Sequence, residues 1–263
     1  MARALEGFLA AACVAFAAKR AGSLSRSGAL AAIVVGTLAV AVGWDWGALL
    51  LAYFVSSSVL SRVGRGTKER RTASIVEKGG ARDAIQVLAN GGVFAGAAAA
   101  MLERPDIRWV AVAAGALAAS AADTWATELG TLAGGRPRSI VSWRPVPAGT
   151  SGGISVVGSL AAVAGAAFIA GVLVALGWTI SLAPTVALAG IAGAAVDSLL
   201  GATLQSRRWC EICSGETERI THECGEPTRQ LRGLEWLDND VVNFLSTVAA
   251  GLLSAALVGR VRG

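Results

Sequence analysis

Residues 107–132 read IRWVAVAAGALAASAADTWATELGTL, an apolar run with two acids set inside it. It exceeds the roughly 20 residues with which a helix crosses a bilayer. Carboxylates such as Asp123 and Glu128 are expensive at that depth and normally face a partner, a cavity or an ion. At helical spacing Asp123 lies over Thr127 and Thr124 over Glu128, so two polar stripes run side by side on one face. This run therefore predicts a membrane helix with chemistry on one side.

The rest of the chain has the same character. Of 263 residues, 54% are hydrophobic and 16% charged, against about 25% charged in soluble domains. Apolar runs recur at 1–18, 28–43, 46–61, 83–102, 154–178, 183–205 and 238–259. With 107–132 they predict an all-α, polytopic integral membrane protein of about eight transmembrane helices joined by short loops. The expected organisation is a single transmembrane domain over 1–263, with a Cys-containing loop at 206–236. The N-terminal run, broken early by Glu6, reads as a first membrane helix and not as a removed signal. Gly92 with Gly96, and Gly190 with Ala194, have the small-xxx-small spacing that lets helices approach closely in lipid. No feature of the sequence sets an oligomeric state.

Charge sets the orientation. Lys19, Arg20 and Arg26 occupy the first loop, six cations from Arg62 to Lys78 the third, and Arg136, Arg138 and Arg144 the fifth, while the seventh is densely charged. The even loops carry little net charge, so the odd loops are expected in the cytoplasm. The formal net charge of +5 falls in short loops and not along a stripe, which argues against nucleic acid as a partner.

Further polar residues interrupt the runs. Asp83, Gln86 and Asn90 share a face, as do Asp197, Ser198, Gly201 and Gln205, and Asn239, Asp240 and Asn243 open the last run. On the expected orientation these acids gather in one leaflet. The bland reading is that each pairs with a loop Arg or caps a helix. Carboxylates with amides and hydroxyls, and no His beside them, suit Mg²⁺ better than zinc. Gly149, Thr150, Ser151, Gly152 and Gly153 form a glycine-rich turn ahead of a helix, which is expected to cradle a phosphate on backbone N–H groups. In the seventh loop Cys210, Cys213, His222 and Cys224 offer four soft ligands, enough for structural Zn²⁺, with free thiols or a redox pair as the alternative.

Five blocks carry a resemblance: KGGARDAIQVLANGG (78–92), ADTWATELG (122–130), VPAGTSGG (146–153), DSLLG (197–201) and WLDNDVVN (236–243). In this order the chain resembles the membrane family that includes plant phytyl-phosphate kinase and transmembrane protein nineteen, with Asp238 where that pattern has Asn. The resemblance implies a kinase that converts a prenyl monophosphate to the diphosphate, with CTP or another nucleoside triphosphate as donor. Phosphoryl transfer asks for positioning and charge neutralisation. The expected roles are then Mg²⁺ ligation by Asp123, Glu128 and Asp197, and phosphate contact by Lys78 and Arg82. Asp83, Asn90, Ser198, Asn239, Asp240 and Asn243 are expected to complete the polar, cytoplasm-facing cavity. The rival classes are an ion-coupled transporter and another Mg²⁺-dependent prenyl- or phospholipid-phosphate enzyme.

Overall fold

The computed structural model describes residues 2–261, and the expectations on Met1, Arg262 and Gly263 fall outside them. Each expected apolar run becomes one long helix, with ends displaced by a few residues. They are α1 (Ala2–Arg20), α2 (Arg26–Val42), α3 (Trp44–Arg62), then, after the short α4 (Arg65–Thr72), α5 (Ala84–Glu103), α6 (Ile107–Ala133), α7 (Val156–Ala175), α8 (Leu182–Thr203) and α9 (Asn239–Val261). Helices α5, α7, α8 and α9 are long and apolar enough to cross a membrane, and α3 with α4, bent by 74°, would add a fifth span.

Local chemistry sets where the helices begin. Ser25 accepts from Gly28 N, Asp106 from Arg108 N and Ser155 from Gly158 N, so each satisfies a backbone donor that a helix start leaves open. Asp83 and Gln86 bond each other's backbone N–H groups in a capping box.

Helix α6 is the axis of the bundle. Nearly every side chain from Val110 to Ala122 is buried, and most are Ala. Around it pack α3, α5, α7, α8 and α9, while α1 is tied chiefly to α2. Glycines on the neighbours make the approach possible. A Cβ on Gly165 of α7 would meet the Ala121 carbonyl oxygen at 2.7 Å, and one on Gly190 of α8 would meet the Ala118 Cβ at 2.6 Å. Large apolar side chains point outward instead, among them Phe8 and Phe16 on α1, Val59 on α3, Leu160 on α7 and Leu252 on α9. In a bilayer they would meet lipid.

Two expectations change here. Gly92 and Gly96 do not form a close helix contact: Gly92 has only Phe244 at 3.8 Å and Gly96 has open space. The loops are also not uniformly short. The third contains α4, and the seventh folds into an antiparallel sheet of β3 (Arg207–Cys210), β4 (Gly215–Thr217) and β5 (Arg229–Arg232), ordered β4-β3-β5. The fifth carries a small pair, β1 (Arg138–Ser139) with β2 (Gly153–Ile154).

The two glycine environments give a direct test. Gly190→Leu drives a branched side chain into α6 and should cost at least about 1–3 kcal/mol, whereas Gly96→Leu should stay within about 0.5 kcal/mol of wild type. Thermal unfolding in detergent separates them, and equal losses would contradict this packing.

Candidate functional site

The four odd loops meet at one end of the bundle around a cavity of about 1130 Å³. Its floor is helical and polar. Asp123 and Thr124 come from α6, Asp197 and Ser198 from α8, Asn90 from α5, and Asn239, Asp240 and Asn243 from α9. Segments far apart in sequence are thereby brought together, as the polar spacing predicts. Toward α7 and α8 the lining turns apolar, with Ala162, Val163, Ile191, Ala194 and Ala195. Of these, Val163 and Ala195 are exposed.

The acids differ sharply in their partners. Asp197 and Asp123 are close enough for their charges to interact. The Oδ2 atom of Asp197 is buried with no hydrogen-bond partner among the described residues. Two neighbouring carboxylates with an orphaned oxygen fit a hard divalent cation, which takes oxygen ligands and offsets their repulsion.

Glu128 is different, and its expected part as a Mg²⁺ ligand is corrected. One oxygen accepts from Ser61 Oγ at 2.6 Å, and the other is ion-paired with Lys68. Lys68, itself buried, also donates to Leu60 O at 2.7 Å and Ser61 O at 3.1 Å. The pair is a strut that ties bent α4 to α6. Asp240 is likewise neutralised, by Lys78, with Asp83 3.7 Å from the same ammonium. Burial alone would lower the Lys78 pKa, but the Asp240 hydrogen bond and the charges of Asp240, Asp83 and Asp238 hold it above the ordinary lysine range. Asp83 does not line the cavity; it is the cap of α5.

Arg82 does face the cavity. Its guanidinium reaches only hydroxyls, Ser58 Oγ at 3.5 Å and Ser61 Oγ at 3.3 Å, and no carboxylate pairs with it among the described residues. Arg62 and Arg71 also reach the lining, the latter bonded to the carbonyls of Thr131 and Leu132.

The glycine-rich turn lines the cavity without serving as an open cradle, which corrects that expectation. Thr150 N donates to Pro147 O, Gly153 N to Thr150 O, and Ser151 N to the Glu218 carboxylate at 3.2 Å. The glycines have a packing cause. Gly149 has φ +86° and lies against Thr72 and Val76, while Gly152 has φ +77° and lies against Ala202 and the Ser198 carbonyl. An L side chain is strained at both angles.

The group that holds this turn is one that sequence reasoning missed. Glu218 forms an ion pair with Arg207 at 2.9 Å and accepts from Gln205 Nε2 at 3.0 Å; Arg207 Nη2 donates to Ser151 O at 2.6 Å. Burial pushes the Glu218 carboxyl above its usual range and Arg207 below its own, each being the other's nearest counter-charge. Only Gln205 was visible beforehand, as the last member of the Asp197 stripe. Nearby, the ligand atoms of Cys210, Cys213, His222 and Cys224 all lie within 4.8 Å of one another.

A family-level match to "Integral membrane protein DUF92" covers residues 9–251. The chain belongs to the DUF92 integral membrane family. This is the family expected from the five blocks. Among relatives, the chain is 31% identical to "Protein PGR" of Arabidopsis thaliana, over 92% of its own length and 91% of the relative's. It is 27% identical to an uncharacterized membrane protein of Methanocaldococcus jannaschii, over 91% and 87% of the two chains. A third, an uncharacterized membrane protein of Synechocystis, is 30% identical over 82% of this chain and 75% of the relative. No solved structure matches this DUF92 chain. The DUF92 match includes Asp123, Asp197 and Asn243.

Proposed function

We propose that the cavity is the active site of a membrane phosphotransferase that converts a prenyl monophosphate to the diphosphate, with a nucleoside triphosphate such as CTP as donor. One observation carries this reading. A single cavity joins two neighbouring carboxylates, one with an orphaned oxygen, and a carboxylate-free guanidinium at its polar end to an apolar slot between α7 and α8. Such a slot suits an isoprenoid chain, and the polar end suits phosphates.

Asp123 and Asp197 would hold Mg²⁺, which supplies charge neutralisation for phosphates when bound. Arg82 binds and orients the acceptor phosphate, and Lys78 adds a second cation, positioned by Asp240. Asn90, Ser198, Asn239 and Asn243 offer hydrogen bonds to the remaining oxygens. The acceptor phosphate is already anionic at neutral pH, so the chain needs no strong base to activate it. The odd loops that surround this end are the basic ones, which supports eight spans with the site facing the cytoplasm. A transporter needs a path to both faces, and the buried Ala-rich length of α6 from Val110 to Ala122 favours the enzyme instead.

The test is direct. The purified protein is incubated with Mg²⁺, labelled nucleoside triphosphates and a panel of prenols and prenyl monophosphates, and the lipids are separated. The expected product is a prenyl diphosphate, formed only from monophosphates. A nucleotide at 100 times its Kd should also add about 2.7 kcal/mol of stability. No product and no thermal shift with any nucleotide or prenyl phosphate would end the kinase reading.

A further inference from the structure

The seventh loop has a second centre, at the far end of its sheet from the cavity. Cys210 closes β3, Cys213 sits in the turn to β4, and His222 and Cys224 follow β4. The Sγ atoms of Cys210 and Cys224 are 3.6 Å apart, and His222 Nδ1 is 3.3 Å from Cys224 Sγ. Ligands at about 2.3 Å (S) and 2.0 Å (N) from a tetrahedral Zn²⁺ lie roughly 3.5–3.8 Å from one another. The observed spacings are close to that figure.

Both ligand pairs sit on tight turns. The first is closed by the Cys210–Gly215 strand pairing, with Ser214 at φ +49°. The second is closed by Gly225 N to His222 O and His222 N to Glu226 O, both 2.9 Å. Cys210 and His222 are buried. The strands span four, three and four residues, too little to bury a core of their own. A small fold of this size ordinarily relies on a metal or cross-link.

The other end of the hairpin clasps the cavity loops. From β4 onward, Glu218 N donates to Ile75 O at 2.9 Å, and Arg219 Nη1 donates to Ala73 O at 3.1 Å and Val76 O at 3.2 Å. Glu218 and Arg207 hold Ser151 of the glycine-rich turn.

We infer that Cys210, Cys213, His222 and Cys224 form a structural Zn²⁺ site, and that this zinc holds the hairpin which fixes residues 73–78 and 149–153 at the cavity. The inference stands apart from whatever reaction the cavity performs. It assigns the four side chains no catalytic part.

The full chain, purified in detergent without chelators, should contain about one zinc per chain by elemental analysis. Cys213→Ser and His222→Ala should lose it, while His222→Cys, which restores a soft ligand, should keep it. Hydrogen exchange is the second readout. Stripping zinc from the wild-type protein should speed exchange at 73–78 and 149–153 and leave the centre of α6 unchanged. Where a variant fails to fold, Co²⁺ exchanged into wild type should give the sulfur-to-metal absorption of a tetrahedral thiolate site. Zinc at background, a Cys210–Cys224 disulfide in the protein as isolated, absence of the Co²⁺ spectrum, or unaltered exchange at both loops after stripping would each overturn the inference.

Discussion

Asp197→Asn should lower Mg²⁺-dependent turnover by at least about a hundredfold, the scale on which removal of a single preorganised charge-stabilising group acts. The substitution keeps the shape of the side chain and removes one of two neighbouring charges. Stability without metal should therefore hold or rise, because one of the like charges near Asp123 is then gone. Asp123→Asn should behave in the same way. Glu128→Gln should not: its carboxylate meets Lys68 and Ser61, so loss of the charge leaves a buried ammonium without a counter-charge and destabilises the α4–α6 contact. Turnover and melting temperature measured on all three variants separate metal ligation from scaffolding. Wild-type turnover in Asp197→Asn would remove that residue from the mechanism.

Arg207→Met should produce the largest loss of stability. Arg207 is completely buried, and its removal leaves the buried Glu218 carboxyl without its counter-charge. Breaking a buried pair from one side costs about 3–5 kcal/mol. Glu218→Gln should destabilise as well, because it leaves the buried Arg207 guanidinium without its counter-charge even though the amide oxygen can still accept from Ser151 N. Thermal unfolding in detergent gives the ranking. A neutral Arg207→Met would mean that the sheet does not hold the glycine-rich turn.

The helices were legible because each long one follows an apolar run, and α5, α7, α8 and α9 are apolar enough on their own to cross a membrane. Asp123 and Asp197 were legible for the same reason, as carboxylates where carboxylates do not belong. The Asp83–Gln86 spacing was visible too, but a shared helix face and a capping box have the same separation, and only the backbone geometry at Asp83 distinguishes them. Partner choice was not legible. Lys68 is one cation in a strongly basic stretch, and nothing in its local sequence singles it out as the mate of Glu128. The small sheet was hidden by its brevity, since strands of three or four residues are too short to show a periodicity. The glycine-rich turn misled because a glycine required for φ or for close packing looks, in sequence, like a glycine required by a ligand.

The alanine axis of α6 has a consequence at the level of the gene. A single base change in an alanine codon yields Val, Thr, Ser, Pro, Asp, Glu or Gly, and nearly all of these add bulk or charge. From Val110 to Ala122 the neighbouring helices leave no room for either. Point mutation along this stretch is therefore almost entirely one-directional, toward side chains the bundle cannot hold. Drift in the DUF92 bundle should fall on the lipid-facing surface, while the axis changes only in concert with the glycines that face it.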